Sequence, residues 1–223
     1  MTQATKQDAK RLLTKTKNKE MIVKEENKSA TDYEPIEKGR HDAICVTVAG
    51  IGEQETAYGV KNQVVLTWEI PSIVREWTKD GEAKEGRAQI TRTFTCSLAP
   101  KASLRLILED WRDKEFTPQE LAGFDLEKLL GVPCSLKIKH QTSQDGSRVY
   151  ANIADVEPYE GKDKLEPEAP LVHYDPMNHN EESFEKLPNW LQDKINKPNS
   201  DGIENDTPVK ESSNVEEMEE IPF

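Results

Sequence analysis

The feature that most constrains the fold is the alternation of side chains in residues 88–99, AQITRTFTCSLA. The other parity of this stretch holds glutamine, threonine and serine. Apolar side chains and one arginine share a single parity: Ile90, Arg92, Phe94, Cys96 and Leu98. A period of two is typical of a β-strand with one face on a core. These residues therefore predict a strand whose outer face is polar.

Four further segments are typical of strands. Residues 41–50 and 62–71 are rich in Val, Ile and Thr and are bounded by Gly or Pro. Residues 133–158 hold two strands joined at Asp145-Gly146, a dipeptide that favours a hairpin turn. The polar stretch between the second and third strands, TKDGEAKEGR, predicts a long, mobile hairpin loop.

A helical block separates the third strand from the fourth. Residues 117–131 predict two short turns of helix, with Thr117 as the N-cap, Pro118 in the first position and Gly131 as the stop. Residues 101–114 carry an apolar stripe of helical spacing, formed by Leu104, Ile107, Leu108 and Trp111.

The order of three strands, a helix and two strands is that of the oligonucleotide-binding (OB) fold, a five-stranded, partly open barrel. We therefore predict an all-β fold with one or two helices, in which residues 31–158 form a five-stranded OB barrel.

Charge divides the chain of 223 residues, whose net charge is −12, into three parts. Residues 1–30 carry a net +4, residues 31–158 a net −5 and residues 159–223 a net −11. Such asymmetry is typical of interaction tails. We expect a basic arm at 1–30 that is disordered or partly helical, a linker with a short helical docking segment at 159–196, and a disordered acidic tail at 197–223.

Several classes of protein are excluded as expectations. No apolar run reaches the roughly 18 residues of a membrane span, and the N-terminus lacks the apolar core of a secretory signal. Cys45, Cys96 and Cys134 are too widely spaced for a metal site and odd in number, so they predict reduced core residues of a cytoplasmic protein. The four histidines are dispersed outside any catalytic frame. We expect no enzyme activity, cofactor or metal.

The last residues, EEMEEIPF, resemble the C-terminal ends of bacterial single-stranded DNA-binding proteins. In that family a disordered linker presents an acidic tip ending in Pro-Phe to replication and repair enzymes. The resemblance implies a partner-binding tip formed by Glu219, Glu220, Ile221, Pro222 and Phe223. Such a peptide suits docking because Phe223 can fill an apolar pocket while the carboxylates meet basic side chains.

A second resemblance covers residues 33–196. The stretches YEPIEKGRHDA, SLAPKASLRLILEDWRDKEFTPQELAGFDLEKLLGVPCSLKIKH, SRVYANIADVEP and LPNWLQDKI are similar to a bacteriophage protein family. Its members are taken to be single-stranded DNA-binding or replication-associated proteins. If the chain is phage-encoded, the cytoplasm is that of the host cell.

Single-strand binding without sequence preference needs cations along the phosphate path and aromatic faces for the bases. Lys137 and Lys139 share one face of their strand, as do Arg148 and Tyr150. Core packing is the favoured alternative for Trp68. A solvated outer face is the alternative for Lys137, Lys139, Arg148 and Tyr150, and a turn is the alternative for Tyr58. The candidates are Tyr58, Lys61, Trp68, Arg92, Lys137, Lys139, Arg148 and Tyr150.

These observations predict a protein that coats single-stranded DNA in replication and recombination and recruits enzymes through its tip. Two alternatives remain open: a recombination mediator that anneals strands, and an adaptor that captures host replication enzymes without binding DNA. The basic arm either adds phosphate contacts or keeps the chain soluble. The sequence also leaves open whether the chain forms a homo-oligomer.

Overall fold

A computed structural model describes residues 34–79 and 82–196. The predicted basic arm, and the acidic tail with its tip at residues 219–223, lie outside the described residues. The elements in chain order are β1 (Gly39–Thr56), β2 (Gly59–Lys79), β3 (Glu82–Thr95), α1 (Ser103–Arg112), α2 (Pro118–Ala122), a 3₁₀ turn (Leu126–Leu129), β4 (Pro133–Thr142), β5 (Val149–Pro158), β6 (Val172–Tyr174), a second 3₁₀ turn (Pro176–Asn178), α3 (Glu181–Glu185) and α4 (Asn189–Asn196).

β1 is the central strand of the sheet and pairs with three other strands. Its antiparallel ladder with β2 runs from the Ile44–Glu69 pair to the Thr56–Gly59 pair. Along the other edge, residues 39–44 pair with β4, and residues 47–49 pair in parallel with β6. The hydrogen-bonded path is β3-β2-β1-β4-β5, with β6 attached to β1.

This sheet confirms the prediction of a mostly β fold with few helices. In the described residues it has six strands where five were predicted, and the hydrogen-bonded path is open, with β3 and β5 at its two ends. The sixth strand, β6, is only three residues long and lies in a proline-rich stretch that gave no strand signal. No helix of the described part of the chain is long and apolar enough to cross a membrane.

The helical block contributes apolar side chains to the main core, the buried cluster that also contains Leu66, Trp68 and Leu136. The predicted stripe of α1 is confirmed, since all four of its apolar side chains are buried. Trp111 donates from Nε1 to the carbonyl oxygen of Pro133 at 3.0 Å, and its ring lies 6.0 Å from that of Trp68. The predicted cap of α2 is also confirmed: Thr117 and Glu120 form a capping box, and these hydrogen bonds together with Arg112 lower the pKa of Glu120 to about 2.

Two of the three cysteines occupy the core as predicted. Cys45 and Cys134 are buried, and burial raises the pKa of the Cys45 thiol to about 12. The prediction was wrong for Cys96, which is exposed. β3 ends at Thr95, so the strand alternation that placed Cys96 inside does not continue to it.

Residues 159–196, which we call the strap, pack across the outer face of β1 and β2. The Glu69 carboxylate, only 1% exposed, accepts hydrogen bonds from the backbone N–H groups of Glu168 at 2.9 Å and Ala169 at 2.7 Å. We call these hydrogen bonds to Glu69 the clasp. Beyond the clasp, the strap contributes apolar side chains to a second core cluster over the sheet. That cluster comprises Ala49, Ile51, Val65, Val172, Tyr174, Leu187 and Leu191.

Candidate nucleic-acid interface

The two predicted lysines of β4 lie on the face of the strand that points away from the core. Leu136 and Ile138 are buried at 0% and 2% exposure, so strand alternation turns Lys137 and Lys139 outward. Lys137 lies opposite Asp155 of β5, and Lys139 lies opposite Asn152. Lys139 is exposed and Lys137 is half-buried.

Tyr150 joins the same face from β5. It lies directly opposite Gln141, and residues opposite each other in an antiparallel pair share a face. The Asn152 amide donates to Gln141 Oε1 at 2.8 Å, which ties the two strands beside the tyrosine. Tyr150 is 41% exposed. The register therefore brings Lys137, Lys139 and Tyr150 onto one surface, which we call the outer β4–β5 face.

Arg148 sits in the turn beside that surface. Its backbone N–H donates to Ser143 Oγ at 3.0 Å, and its carbonyl accepts from the Ser143 N–H at 2.9 Å. Asp145 accepts hydrogen bonds from Ser143 and Ser147 that hold its pKa well below the usual range of a carboxyl. Gly146 follows with φ of +73°, a conformation that glycine adopts without strain. The turn thus holds the exposed Arg148 side chain at the end of the hairpin.

Tyr58 and Lys61 lie elsewhere. Tyr58 is 78% exposed in the tight turn between β1 and β2, where the Thr56 hydroxyl donates to the Gly59 carbonyl at 2.7 Å. Lys61 follows on β2 and is exposed. This turn closes the far end of the 18-residue β1, whereas β4 pairs with its beginning at Gly39. The register therefore separates these two residues from the outer β4–β5 face along the length of β1.

Arg92 occupies the core side of β3. It lies opposite the buried Leu66 and donates from Nη1 to the carbonyl oxygen of Ile153 at 3.0 Å. Its guanidinium carbon is 5.0 Å from the centre of the Phe94 ring. Arg92 therefore links β3 to β5, and part of its surface is buried by that contact.

Trp68 belongs to the core, as its alternative interpretation held. The residue is 0% exposed, and its Nε1 has no hydrogen-bond partner among the described residues. A ring in this position presents no face for a base, so Trp68 does not belong to an exposed interface. Sequence alternation with Val64, Leu66 and Ile70 was the correct signal.

One exposed aromatic residue was missed. Trp77 lies on β2 and is 46% exposed, within an extension of the β2–β3 hairpin. The prediction of a long loop over TKDGEAKEGR was wrong, because β2 continues to Lys79 and β3 begins at Glu82. Residues 82–87 are mostly charged or small, so they gave no alternation from which a strand could be predicted. Across residues 34–79 and 82–196, no three His, Cys, Asp or Glu side chains are grouped to hold a metal ion.

The outer β4–β5 face therefore carries two lysines and a partly exposed tyrosine ring. A carboxylate also lies near the outer β4–β5 face, since Glu157 of β5 forms an ion pair with Arg40 of β1. A scan of the chain against protein-family models found no matching family, and a search of curated proteins found no match.

Proposed function

We propose that this chain is a single-stranded DNA-binding protein of bacteriophage type, which coats DNA without sequence preference. The observation that carries the proposal is the coincidence of Lys137, Lys139 and Tyr150 on one outward face. Lysines along a strand neutralise phosphates, and an adjacent tyrosine ring stacks on a base of any sequence. A duplex hides the faces of its bases, so the arrangement favours single strands.

We further propose that the sheet is a partly open OB-like barrel. The path β3-β2-β1-β4-β5, with α1 inserted between β3 and β4, supports this because an OB barrel brings its third and fifth strands together. The Arg92 hydrogen bond to Ile153 joins those two strands, which are the ends of the path. β6 is then an addition to β1.

Recruitment of replication and recombination enzymes through Ile221, Pro222 and Phe223 is part of the proposal and rests on the sequence resemblance. The net charge of −11 over residues 159–223 also supports competition between the acidic tail and DNA for the outer β4–β5 face. Deletion of residues 200–223 is then expected to tighten DNA binding at low salt, and unchanged affinity would rule out this competition.

The test of DNA binding is fluorescence anisotropy with a labelled dT oligonucleotide of about 30 nucleotides, beside a duplex of equal length, over a range of salt. We expect single-strand binding to exceed duplex binding and to weaken as salt rises. Lys139→Ala should reduce the slope of log affinity against log salt by about 0.7 to 1. Tyr150→Ala should weaken binding by about 1 to 3 kcal/mol.

Lys186→Ala is the matched control, because Lys186 lies on the strap and pairs with Glu182 at 2.7 Å. It should leave the salt slope unchanged. If the full chain shows no preference for the single strand at low salt, with or without residues 200–223, the proposal fails and the adaptor alternative takes its place. If Lys139→Ala and Tyr150→Ala match the Lys186→Ala control, the outer β4–β5 face is not the binding surface.

A further inference from the structure

The hairpin of β2 and β3 extends past the part of the sheet that pairs with β1. The β1–β2 ladder begins at Ile44 and Glu69, and the β2–β3 ladder continues from Val74–Arg87 to Lys79–Glu82. We call residues 71–79 and 82–87 the arm, which is distinct from the basic arm predicted at residues 1–30. A shift in register between Ile70 and Val74 marks its base. The arm is thus an extension with two faces of its own.

The strand register assigns the side chains of the arm to two faces. Arg75 lies opposite Gly86, and Trp77 lies opposite Lys84, so these side chains share what we call the basic–aromatic face. Glu76 and Glu85 form a pair on the other face. Glu82, which lies opposite Lys79, shares the basic–aromatic face at the end of the hairpin.

The strap contacts the acidic face of the arm. Arg87, which lies opposite Val74 on that face, pairs with Glu69 at 3.0 Å and Glu168 at 3.2 Å. Its Nη1 also donates to the carbonyl oxygen of Glu166 at 2.7 Å. These contacts place Glu166 and Glu168 on the side of the arm away from Trp77.

The Trp77 ring packs over Gly86 of the opposite strand, where the absence of a side chain leaves room for it. A Cβ atom added to Gly86 would lie 2.9 Å from Cη2 and 3.3 Å from Cζ3 of the tryptophan, so a side chain there would collide with the ring. The ring consequently lies over the backbone at Gly86, and 46% of the residue remains exposed. A ring that packs on the backbone and keeps part of its surface exposed can stack on a flat ligand, because the side chain loses little conformational freedom on binding.

We infer that the basic–aromatic face of the arm is a second contact site for single-stranded nucleic acid, in which Trp77 stacks on a base while the exposed Lys84 meets a phosphate. The inference rests on the proposed function and adds a site to it. The paired groups select the ligand class, since a flat aromatic group next to an anion matches an exposed tryptophan that lies opposite a lysine. A peptide partner would also have to be acidic and aromatic, and is an outcome of the test below.

The tryptophans allow a direct test on the full chain. Trp68 and Trp111 are buried, whereas Trp77 and Trp190 are exposed to 46% and 48%. Quenching of intrinsic fluorescence by a dT oligonucleotide of about 30 nucleotides therefore reports on the two exposed rings. Trp190→Phe is the matched control for Trp77→Phe. We expect Trp77→Phe to lose most of the quenching and Trp190→Phe to keep it.

Affinity gives the second readout, measured by anisotropy with the same oligonucleotide. Trp77→Ala should weaken binding roughly 5- to 150-fold, the loss that one base–aromatic stack implies. Lys84→Glu, a change at an exposed position, should weaken it and alter its salt dependence. Circular dichroism of each variant verifies that the fold is retained.

The outcomes separate this inference from the proposed function. If wild-type protein binds the oligonucleotide, Tyr150→Ala weakens binding and both Trp77→Ala and Lys84→Glu leave it unchanged, the arm site is wrong and the proposed function stands. If the wild type does not bind, both fail. If the arm binds an acidic peptide while the Trp77 variants bind DNA normally, the site belongs to a protein partner and the inference is overturned.

Discussion

The outer face of β1 and β2 and the outer face of β4 and β5 belong to one sheet, but the strap covers the first and leaves the second largely open. The difference follows from the side chains. Val64, Val65 and Leu66 are consecutive apolar residues that are all buried, which requires protein on both faces of β2. Leu136 to Lys139 alternate strictly, which requires protein on one face only. The covered face therefore supports stability, and the open face is available for a ligand.

The strongest way to break this comparison is to remove the cover. Leu191 of α4 is 1% exposed in the second core cluster. We expect Leu191→Ala to lower the free energy of unfolding by about 2 to 5 kcal/mol, because it removes buried apolar surface and leaves a cavity. Urea denaturation of the full chain measures this loss.

Trp190→Ala is the control for that experiment. Trp190 precedes Leu191 on the same helix and is 48% exposed, so its removal should cost about 1 kcal/mol or less. Equal losses for the two variants would contradict the packing of α4 on the sheet.

A smaller effect is expected from the clasp at the beginning of the strap. In Glu69→Ala, the backbone N–H groups of Glu168 and Ala169 lose their shared acceptor, and Arg87 loses its buried partner. Buried donors left unpaired cost about 1 to 3 kcal/mol. We expect that loss in urea denaturation, together with faster proteolysis within the strap.

The exposed Glu76 of the arm supplies the comparison for Glu69. Glu76→Ala should change the free energy of unfolding by about 0.5 kcal/mol or less. If Glu69→Ala behaves like Glu76→Ala, the clasp contributes nothing to holding the strap.

The sequence predicted those parts of the molecule whose pattern is local. Alternation in β4 placed Lys137 and Lys139 on one face, the helical stripe predicted the buried side of α1, and Thr117 with Pro118 carried the signal for the start of α2. These features depend on residues within a few positions of each other, so they can be recognised without the fold.

The remaining features depend on contacts between distant residues. Glu69 is one of 42 acidic residues, and nothing near it in the chain predicts that residues 168 and 169 will bury it. The pairing of Lys137 with Asp155 depends on a register that shifts between Lys137 and Ile138, and composition does not specify a shift. Cys96 was misplaced because the pattern continued past the end of the strand.

The smallest expected effect tests the comparison within a single strand. Ile138 and Lys139 are neighbours on β4, but Ile138 is 2% exposed in the main core and Lys139 faces outward. Lys139→Ala should therefore change the free energy of unfolding by about 0.5 kcal/mol or less, because it removes an exposed side chain. Ile138→Ala should cost about 2 to 5 kcal/mol in the same urea experiment. Weaker DNA binding by Lys139→Ala at unchanged stability would mean that this lysine contacts DNA and does not stabilise the fold. A large loss of stability in Lys139→Ala would instead mean that the outer β4–β5 face helps to hold the sheet together, and the contrast between the covered and open faces would no longer hold.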